Sequence, residues 1–241
     1  MPTFILIHGA FHGGWCWEHV VPLLEAAGHR AIAPNLPGMG GDPTPLNQVT
    51  LARTGDFVAN LVRLQPEPVI LAGHSLGGLA ISEAAERAPD HIAGLVYVTA
   101  LLAPSGASSR DFHDPSRQGE SAVRAADRVA DTFESALAPD LFYNSCDTTE
   151  VDRAIARLTP QPVAPLNEPV TVTPERFGRV RRAYIECIDD HAIPLARQRQ
   201  MQAALPCDPV FTMTADHSPF LCAPDELTKH LIAAAAAMTR M

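Results

Sequence analysis

The sequence predicts one α/β domain with a mostly parallel, doubly wound sheet of about six strands. Short apolar runs alternate with segments of helical periodicity over residues 3–102, and the alternation returns over residues 179–241. One run, residues 92–100, is apolar nearly throughout, which is typical of a strand buried on both faces of a parallel sheet. With 241 residues and 46% hydrophobic content, the chain can bury a full core without a second domain.

Local signals justify each element in turn. The first strand covers residues 3–8 and leads through a glycine-rich loop into a helix over residues 15–27, which Gly28 ends. Proline, aspartate and glutamate at residues 224–226 are typical of the first turn of the last helix. The other predicted strands are residues 30–34, 69–72, 92–100, 182–187 and 209–214, and the other predicted helices are residues 51–64, 79–87 and 194–205.

The alternation breaks between residues 103 and 178. Residues 160–174 hold five prolines, so no regular element is expected to run through them. Weak helical periodicity over residues 120–133 and 149–158 predicts a small, mostly helical cap. We therefore expect a core of residues 1–102 and 179–241, with residues 103–178 inserted over the carboxyl ends of the strands.

The six residues GHSLGG, at positions 73–78, lie where the third predicted strand turns into a helix. Glycines at 73 and 77 remove the Cβ atoms that would collide in so tight a turn. Ser75 then projects above the sheet edge, with a helix N-terminus beneath it. This arrangement is typical of a nucleophilic serine.

Composition limits the partners and the compartment. A formal net charge of −9 without a Lys/Arg cluster argues against nucleic acid or an anionic membrane as partner and favours a small uncharged molecule. The five cysteines show neither CxxC nor zinc-ligand spacing and suit a reducing compartment, and no HExxH or HxxEH motif indicates a metal. The apolar runs near both ends are too short to span a bilayer, so we expect a cytoplasmic protein; self-association as a homodimer is left open.

Candidate side chains follow four of the predicted strands. Ligands bind beyond the carboxyl ends of strands in such sheets. There the sequence has His8-Gly9-Ala10, Ser75, the pair Asp189-Asp190, and Asp216-His217. A serine hydroxyl needs an imidazole to take its proton, and the imidazole needs a carboxylate to orient it and stabilise its cation. His217 and one of the two adjacent aspartates meet that need.

Four stretches carry a resemblance to a known family. They are FILIHGAFHGGWCWEHVVPLLEAAGH, GHSLGG, YIECIDDHAIPLARQRQM and ADHSPFLCAPDEL. The chain resembles the α/β-hydrolase branch that contains plant methyl esterases, hydroxynitrile lyases and bacterial carboxylesterases of the pyrethroid-hydrolase type. The resemblance implies Ser75 as nucleophile, His217 as base, Asp190 as triad acid, and the backbone amides of Ala10 and Leu76 as the oxyanion hole.

Two positions distinguish activities within that branch. Hydroxynitrile lyases carry a lysine after the catalytic histidine and a threonine after the first-strand histidine, whereas this chain has Ser218 and Gly9. The resemblance therefore implies a cofactor-independent esterase, with a lyase or a ligand receptor of the same fold as alternatives. Apolar residues of the cap suggest an apolar ester; they are Phe112, Phe133, Leu141 and Phe142.

Overall fold

The computed structural model describes residues 1–112, 123–125 and 129–239 and contains a six-stranded sheet in which all neighbouring strands are parallel. The strands of the chain are β1 (Thr3–Ile7), β2 (Arg30–Ile32), β3 (Val69–His74), β4 (Ile92–Val98), β5 (Val123–Ala125), β6 (Ala130–Phe133), β7 (Gln161–Pro162), β8 (Arg182–Cys187) and β9 (Val210–Met213). The main sheet has the order β2-β1-β3-β4-β8-β9. The predicted six-stranded parallel sheet is thus confirmed, with strand ends shifted by a few residues.

Helices cover both faces of the main sheet. The α-helices of the described residues are α1 (Val20–Ala26), α2 (Leu51–Arg63), α3 (Gly77–Arg87), α4 (Ala138–Phe142), α5 (Thr148–Ile155), α6 (Ala164–Asn167), α7 (Leu195–Ala204), α8 (Pro219–Cys222) and α9 (Pro224–Thr239). The predicted helix over residues 15–27 is divided into a 3-10 turn, Gly14–Trp17, and α1. Within the described part of the chain, no helix combines the length and apolarity that crossing a membrane requires.

The core lies in two layers because alternate strand residues face opposite sides of the sheet. Ile5 and Ile7 of β1 belong to the layer beneath α2, α3 and α7. Phe4 and Leu6 belong to the layer beneath α1 and α9. All four side chains are fully buried, which explains why this strand reads as a continuous apolar run.

The segment between β4 and β8 differs from the prediction. Residues 120–133 were expected to be helical, and this is wrong wherever the structure describes them, because β5 and β6 pair as antiparallel strands. β6 also pairs with β7, so backbone pairing outweighs the weak helical preference of this alanine-containing stretch. The helix expected at residues 149–158 is present as α5. Residues 120–122 and 126–128 of the first prediction lie outside the described residues.

The proline-rich stretch holds only short elements, β7 and the four-residue helix α6. Pro165 lies in the first turn of α6, where its missing N–H costs no hydrogen bond. The division of the chain into a core and a cap at residues 103 and 178 stays a prediction.

The strand order reverses beside β1. The chain passes from β1 to β2 on one side and then to β3 on the other, which creates a crevice at the carboxyl ends of β1 and β3. Gly9 follows β1 and Ser75 follows β3, so both of these loops open at this crevice.

Candidate active site

Ser75 lies in the sharp turn between β3 and α3. Its φ is 51°, a left-handed conformation that is uncommon for a residue with a side chain, and its side chain is partly exposed. A Cβ on Gly73 would lie 2.7 Å from the Gly77 carbonyl oxygen, and a Cβ on Gly77 would lie 2.6 Å from that of His8. Both glycines are therefore required by close backbone contacts, as expected from the sequence.

Ser75, His217 and Asp190 form a hydrogen-bonded chain. The Ser75 Oγ lies 3.0 Å from His217 Nε2, and His217 Nδ1 lies 2.7 Å from Asp190 Oδ2. An ionised carboxylate accepts only, so Nδ1 carries the proton donated to Asp190 and Nε2 is left to accept from the serine hydroxyl. His217 and Asp190 are buried, at 2% and 3% exposure. The structure thus brings together the three side chains that sequence and resemblance selected.

The Asp190 carboxylate has four donors. Oδ2 accepts from Thr99 Oγ1 as well as from His217, and Oδ1 accepts from the backbone amides of Ala192 and Ile193 at 2.7 and 2.8 Å. Asp189, by contrast, is exposed. A buried charge is tolerated when hydrogen bonds satisfy it, and these four donors stabilise the buried carboxylate of Asp190. Sequence reasoning missed Thr99, although its position at the carboxyl end of β4 was a usable signal.

The loop after β1 packs directly against the serine turn. A Cβ on Gly9 would lie 2.7 Å from the Cβ of Ser75, so only glycine allows this approach. Leu76 directly follows Ser75, and Ala10 directly follows Gly9; within the described residues neither backbone amide donates a hydrogen bond to another protein group. Two such N–H groups near a serine hydroxyl can stabilise an oxyanion.

His8 fixes the orientation of the peptide between Gly9 and Ala10. Its Nδ1 donates to the Gly9 carbonyl at 2.9 Å, and its Nε2 accepts from the Leu36 amide at 3.0 Å. The carbonyl and the N–H of a trans peptide point in opposite directions, so the bond to His8 turns the Ala10 N–H away from the imidazole. His8 is fully buried, and burial lowers its pKa to about 4.

His12 holds the next peptide in a similar way. Its Nδ1 donates to the Ala10 carbonyl at 2.7 Å, and its Nε2 accepts from the Tyr143 hydroxyl at 2.8 Å. Burial lowers the pKa of His12 to about 3, so the ring is neutral over the physiological range. His8 and His12 thus shape this loop by holding two successive peptides.

Phe11 lies between these anchored peptides with a φ of 63°. Its N–H donates to Gln161 Oε1 at 3.3 Å, and its carbonyl accepts from the Thr159 amide at 2.8 Å. Strained backbone persists where surrounding contacts hold it in place. The segment that precedes α6 therefore helps to set the conformation of the loop beside Ser75.

His74 supports the loop that carries His217. Its Nε2 donates to the backbone carbonyl of His217 at 2.7 Å, and the two ring centroids are 4.7 Å apart. The ring also meets Phe220 edge-on at 4.9 Å. Burial lowers the pKa of His74 well below its usual range, so a neutral ring makes these contacts.

Aromatic side chains form an apolar wall beside His217. The Phe142 ring lies 5.5 Å from the His217 ring, and it packs on Phe133 at 4.6 Å between centroids. Phe133 in turn packs on Phe11 at 5.4 Å. Phe142 and Phe133 were two of the four residues expected to provide apolar surface.

The other acidic candidate near His217 has different partners. The Asp216 carboxylate accepts from the amides of Ser145 and Ser218, both at 2.8 Å, and it is fully buried. His191, next to Asp190 in the sequence, donates from Nδ1 to the Asp140 carbonyl at 2.9 Å. Neither residue belongs to the hydrogen-bonded chain of Ser75.

The comparisons with known proteins agree on one family. Residues 4–229 match the profile of the Alpha/beta hydrolase family. The chain is 34% identical to a pyrethroid hydrolase of Sphingobium wenxiniae, over 93% of this chain and 84% of the relative. It is 31% identical to methylesterase 2 of Arabidopsis thaliana, over 96% and 95% of the two chains.

A solved structure shows the same architecture. The crystal structure of a pyrethroid hydrolase from Sphingobium faniae matches with a TM-score of 0.87 and 32% identity, over 98% of each chain. Two chloroplastic relatives from Arabidopsis thaliana are longer: at 32% and 31% identity, the chain spans 55% and 63% of their lengths.

The buried neutral histidines predict acid destabilisation. Below the ordinary histidine pKa of about 6.5 the unfolded chain binds protons at His8 and His12, whereas the folded chain binds them only near pH 4 and pH 3. The free energy of unfolding should therefore fall with decreasing pH between about 6 and 4, by about 1.4 kcal/mol per pH unit for each ring. Urea unfolding at a series of pH values measures this slope.

A variant pair isolates one ring. His12→Gln should reduce the slope by about 1.4 kcal/mol per pH unit, the contribution of one proton, whereas the exposed Ser135→Ala removes no titratable group and should leave the slope unchanged. A free energy of unfolding that stays constant from pH 6 to 4 would contradict this expectation.

Proposed function

The chain belongs to the alpha/beta hydrolase family, and from that premise we propose that it is a serine carboxylesterase acting on small-to-medium apolar esters. The observation that carries the proposal is the continuous hydrogen-bonded chain from Ser75 through His217 to Asp190. Relatives named methylesterase and pyrethroid hydrolase, at 31% and 34% identity, support the ester bond as the target.

The proposed reaction has two halves. His217 Nε2 takes the proton of Ser75 as its Oγ attacks the ester carbonyl, and the carbonyl oxygen collects negative charge facing the Ala10 and Leu76 amides. The His217 cation then protonates the leaving alcohol. Water, deprotonated by His217, repeats the attack on the acyl-serine and releases the acid. Asp190 keeps the imidazole in the required tautomer and stabilises its cation.

The surroundings support an apolar substrate. Phe142 packs beside His217 and is backed by Phe133, and a small apolar pocket is lined by residues that include Leu36, Met39 and Leu76. Such surfaces favour uncharged acyl or alcohol groups. A panel of p-nitrophenyl esters of increasing chain length, methyl esters and pyrethroid esters would identify the preferred class.

The residue after His217 favours ester hydrolysis over cyanohydrin cleavage. Ser218 is fully buried and carries no charge, so it cannot hold a developing cyanide anion as a lysine would. Repeated turnover of a simple ester, rather than one binding event per chain, would exclude a receptor. A cytoplasmic location and homodimer formation stay predictions from the sequence.

Replacement of the nucleophile tests the proposal directly. Ser75→Ala should lower kcat about 10⁴-fold or more, as triad deletions do, because among the described residues the hydroxyl bonded to His217 Nε2 is that of Ser75. An organophosphate should label Ser75 alone, as measured by peptide mass spectrometry. The exposed Ser135→Ala is the matched control and should retain full turnover. Near-normal activity in Ser75→Ala would refute the assignment.

The adjacent aspartates provide a second test. Asp190→Asn should lower kcat about 10⁴-fold, because an amide cannot stabilise the His217 cation and can favour the wrong tautomer. Asp189→Asn changes an exposed side chain and should cost little. Steady-state kinetics on one ester compares the two; equal losses would mean that Asp190 is not the triad acid.

The loop after β1 gives a third test. Gly9→Ala would force a Cβ to within 2.7 Å of the Ser75 Cβ and displace the Ala10 amide. We expect kcat to fall by about 10²-fold or more, the scale of losing one oxyanion donor. Gly178→Ala has ordinary contacts of 3.4 Å and should be neutral. Unchanged kcat in Gly9→Ala would argue against an oxyanion hole at Ala10.

A further inference from the structure

Two cysteine thiols converge on the buried carboxylate of Asp216. Cys222 Sγ lies 3.2 Å from Oδ1, and Cys146 Sγ lies 3.3 Å from Oδ2. Asp216 is fully buried, whereas both cysteines are partly exposed and neither is in a disulfide. The three side chains come from two regions of the chain: Cys146 precedes α5, while Asp216 and Cys222 follow β9.

The spacing of these atoms suits a metal ion. The two sulfurs and a carboxylate oxygen all lie within 4.8 Å of one another. Tetrahedral zinc, with bonds of about 2.3 Å to sulfur and 2.0–2.2 Å to oxygen, separates its ligand atoms by about 3.5–3.8 Å. Only small side-chain adjustments are needed to reach that geometry.

We propose that Cys146, Asp216 and Cys222 form a binding site for one thiophilic divalent cation of the Zn²⁺ or Cd²⁺ class. Binding replaces the two thiol protons, which leave to solvent, and forms two metal–sulfur bonds and one metal–oxygen bond. The two thiolates and the carboxylate carry three negative charges against two positive ones. Water takes the fourth position, as in three-ligand zinc sites.

The donor set determines which ions fit. Thiolates bind Zn²⁺ and Cd²⁺ far better than Mg²⁺ or Ca²⁺, which prefer sites made of oxygen ligands alone. The backbone amides of Ser145 and Ser218 already orient the Asp216 carboxylate, each at 2.8 Å, and serve as its outer support. The partial exposure of both thiols gives the ion a route from solvent.

The site could not be found from sequence spacing. Seventy-six positions separate Cys146 from Cys222, and neither belongs to a CxxC motif. Folding places the insertion against the loop that carries His217, and only then do the three ligand groups meet. An ion bound here would join the Cys146 segment to the residue directly before His217.

Titration with Cd²⁺ tests the site without reference to esterase activity. The reduced full-length chain should develop the ultraviolet thiolate-to-cadmium charge-transfer band and saturate at one ion per chain. Isothermal calorimetry with Zn²⁺ should give the same stoichiometry. Cys146→Ser and Cys222→Ser should each weaken binding by more than about 100-fold, since loss of even an outer-shell partner costs 10–100-fold.

Cys207→Ser is the matched control, because Cys207 is also a partly exposed free thiol but lies outside the cluster. It should leave the band and the affinity unchanged. Asp216→Asn keeps the shape of the side chain and should weaken Zn²⁺ binding while leaving both thiols in place. Absence of the band in the unsubstituted chain, or equal binding by the Cys146, Cys222 and Cys207 variants, would overturn the proposal.

Discussion

The close contact of three backbone segments at the turn after β3 is the constraint on which the rest of the site depends. Gly73 approaches Gly77 within the turn, Gly77 approaches the end of β1, and Gly9 approaches Ser75, each with a clearance too small for a Cβ. This packing leaves Ser75 at positive φ, with its hydroxyl 3.0 Å from His217 Nε2. The positions of the serine and of the loop after β1 are thus set by one shared contact.

The electrostatic character of the site follows from burial. Three imidazoles, those of His8, His12 and His74, are fully or almost fully buried and have strongly lowered pKa values, so they act as fixed neutral hydrogen-bonding groups. The one buried carboxylate in the chain from Ser75, that of Asp190, is compensated by four donors. The negative charge of Asp190 thereby lies beside His217, where the proposed reaction would use it. The neutral rings of His8, His12 and His74 orient the neighbouring loops and do not compete with His217 for the serine proton.

Sequence patterns predicted the elements that have regular periodicity. The predicted strand at residues 182–187 coincides with β8. The motif GHSLGG predicted the position of Ser75, because its glycines are required by close contacts within the turn itself. The sequence could not show that Thr99 would reach Asp190 or that Gln161 would reach Phe11, since those contacts join residues 91 and 150 positions apart. The helix expected at residues 130–133 is wrong for a related reason: these residues form a strand that pairs with β5 and with β7, and β7 lies beyond α5 in the chain. Choosing Asp190 over Asp189 required the family resemblance, since adjacent carboxylates look alike until one is buried.

The contacts that the segment between β4 and β8 makes with Phe11 and His12 have a consequence for how such a protein can change its substrate range. Tyr143, Thr159 and Gln161 bond to the same loop that carries the Ala10 amide. The segment that would vary to change the substrate range is therefore hydrogen-bonded to the same loop as the Ala10 amide, one of the groups proposed to stabilise the oxyanion. An exchange of this segment between relatives would alter rate and selectivity together, and even a single substitution at Phe133 would reach the same loop, because Phe133 packs on Phe11.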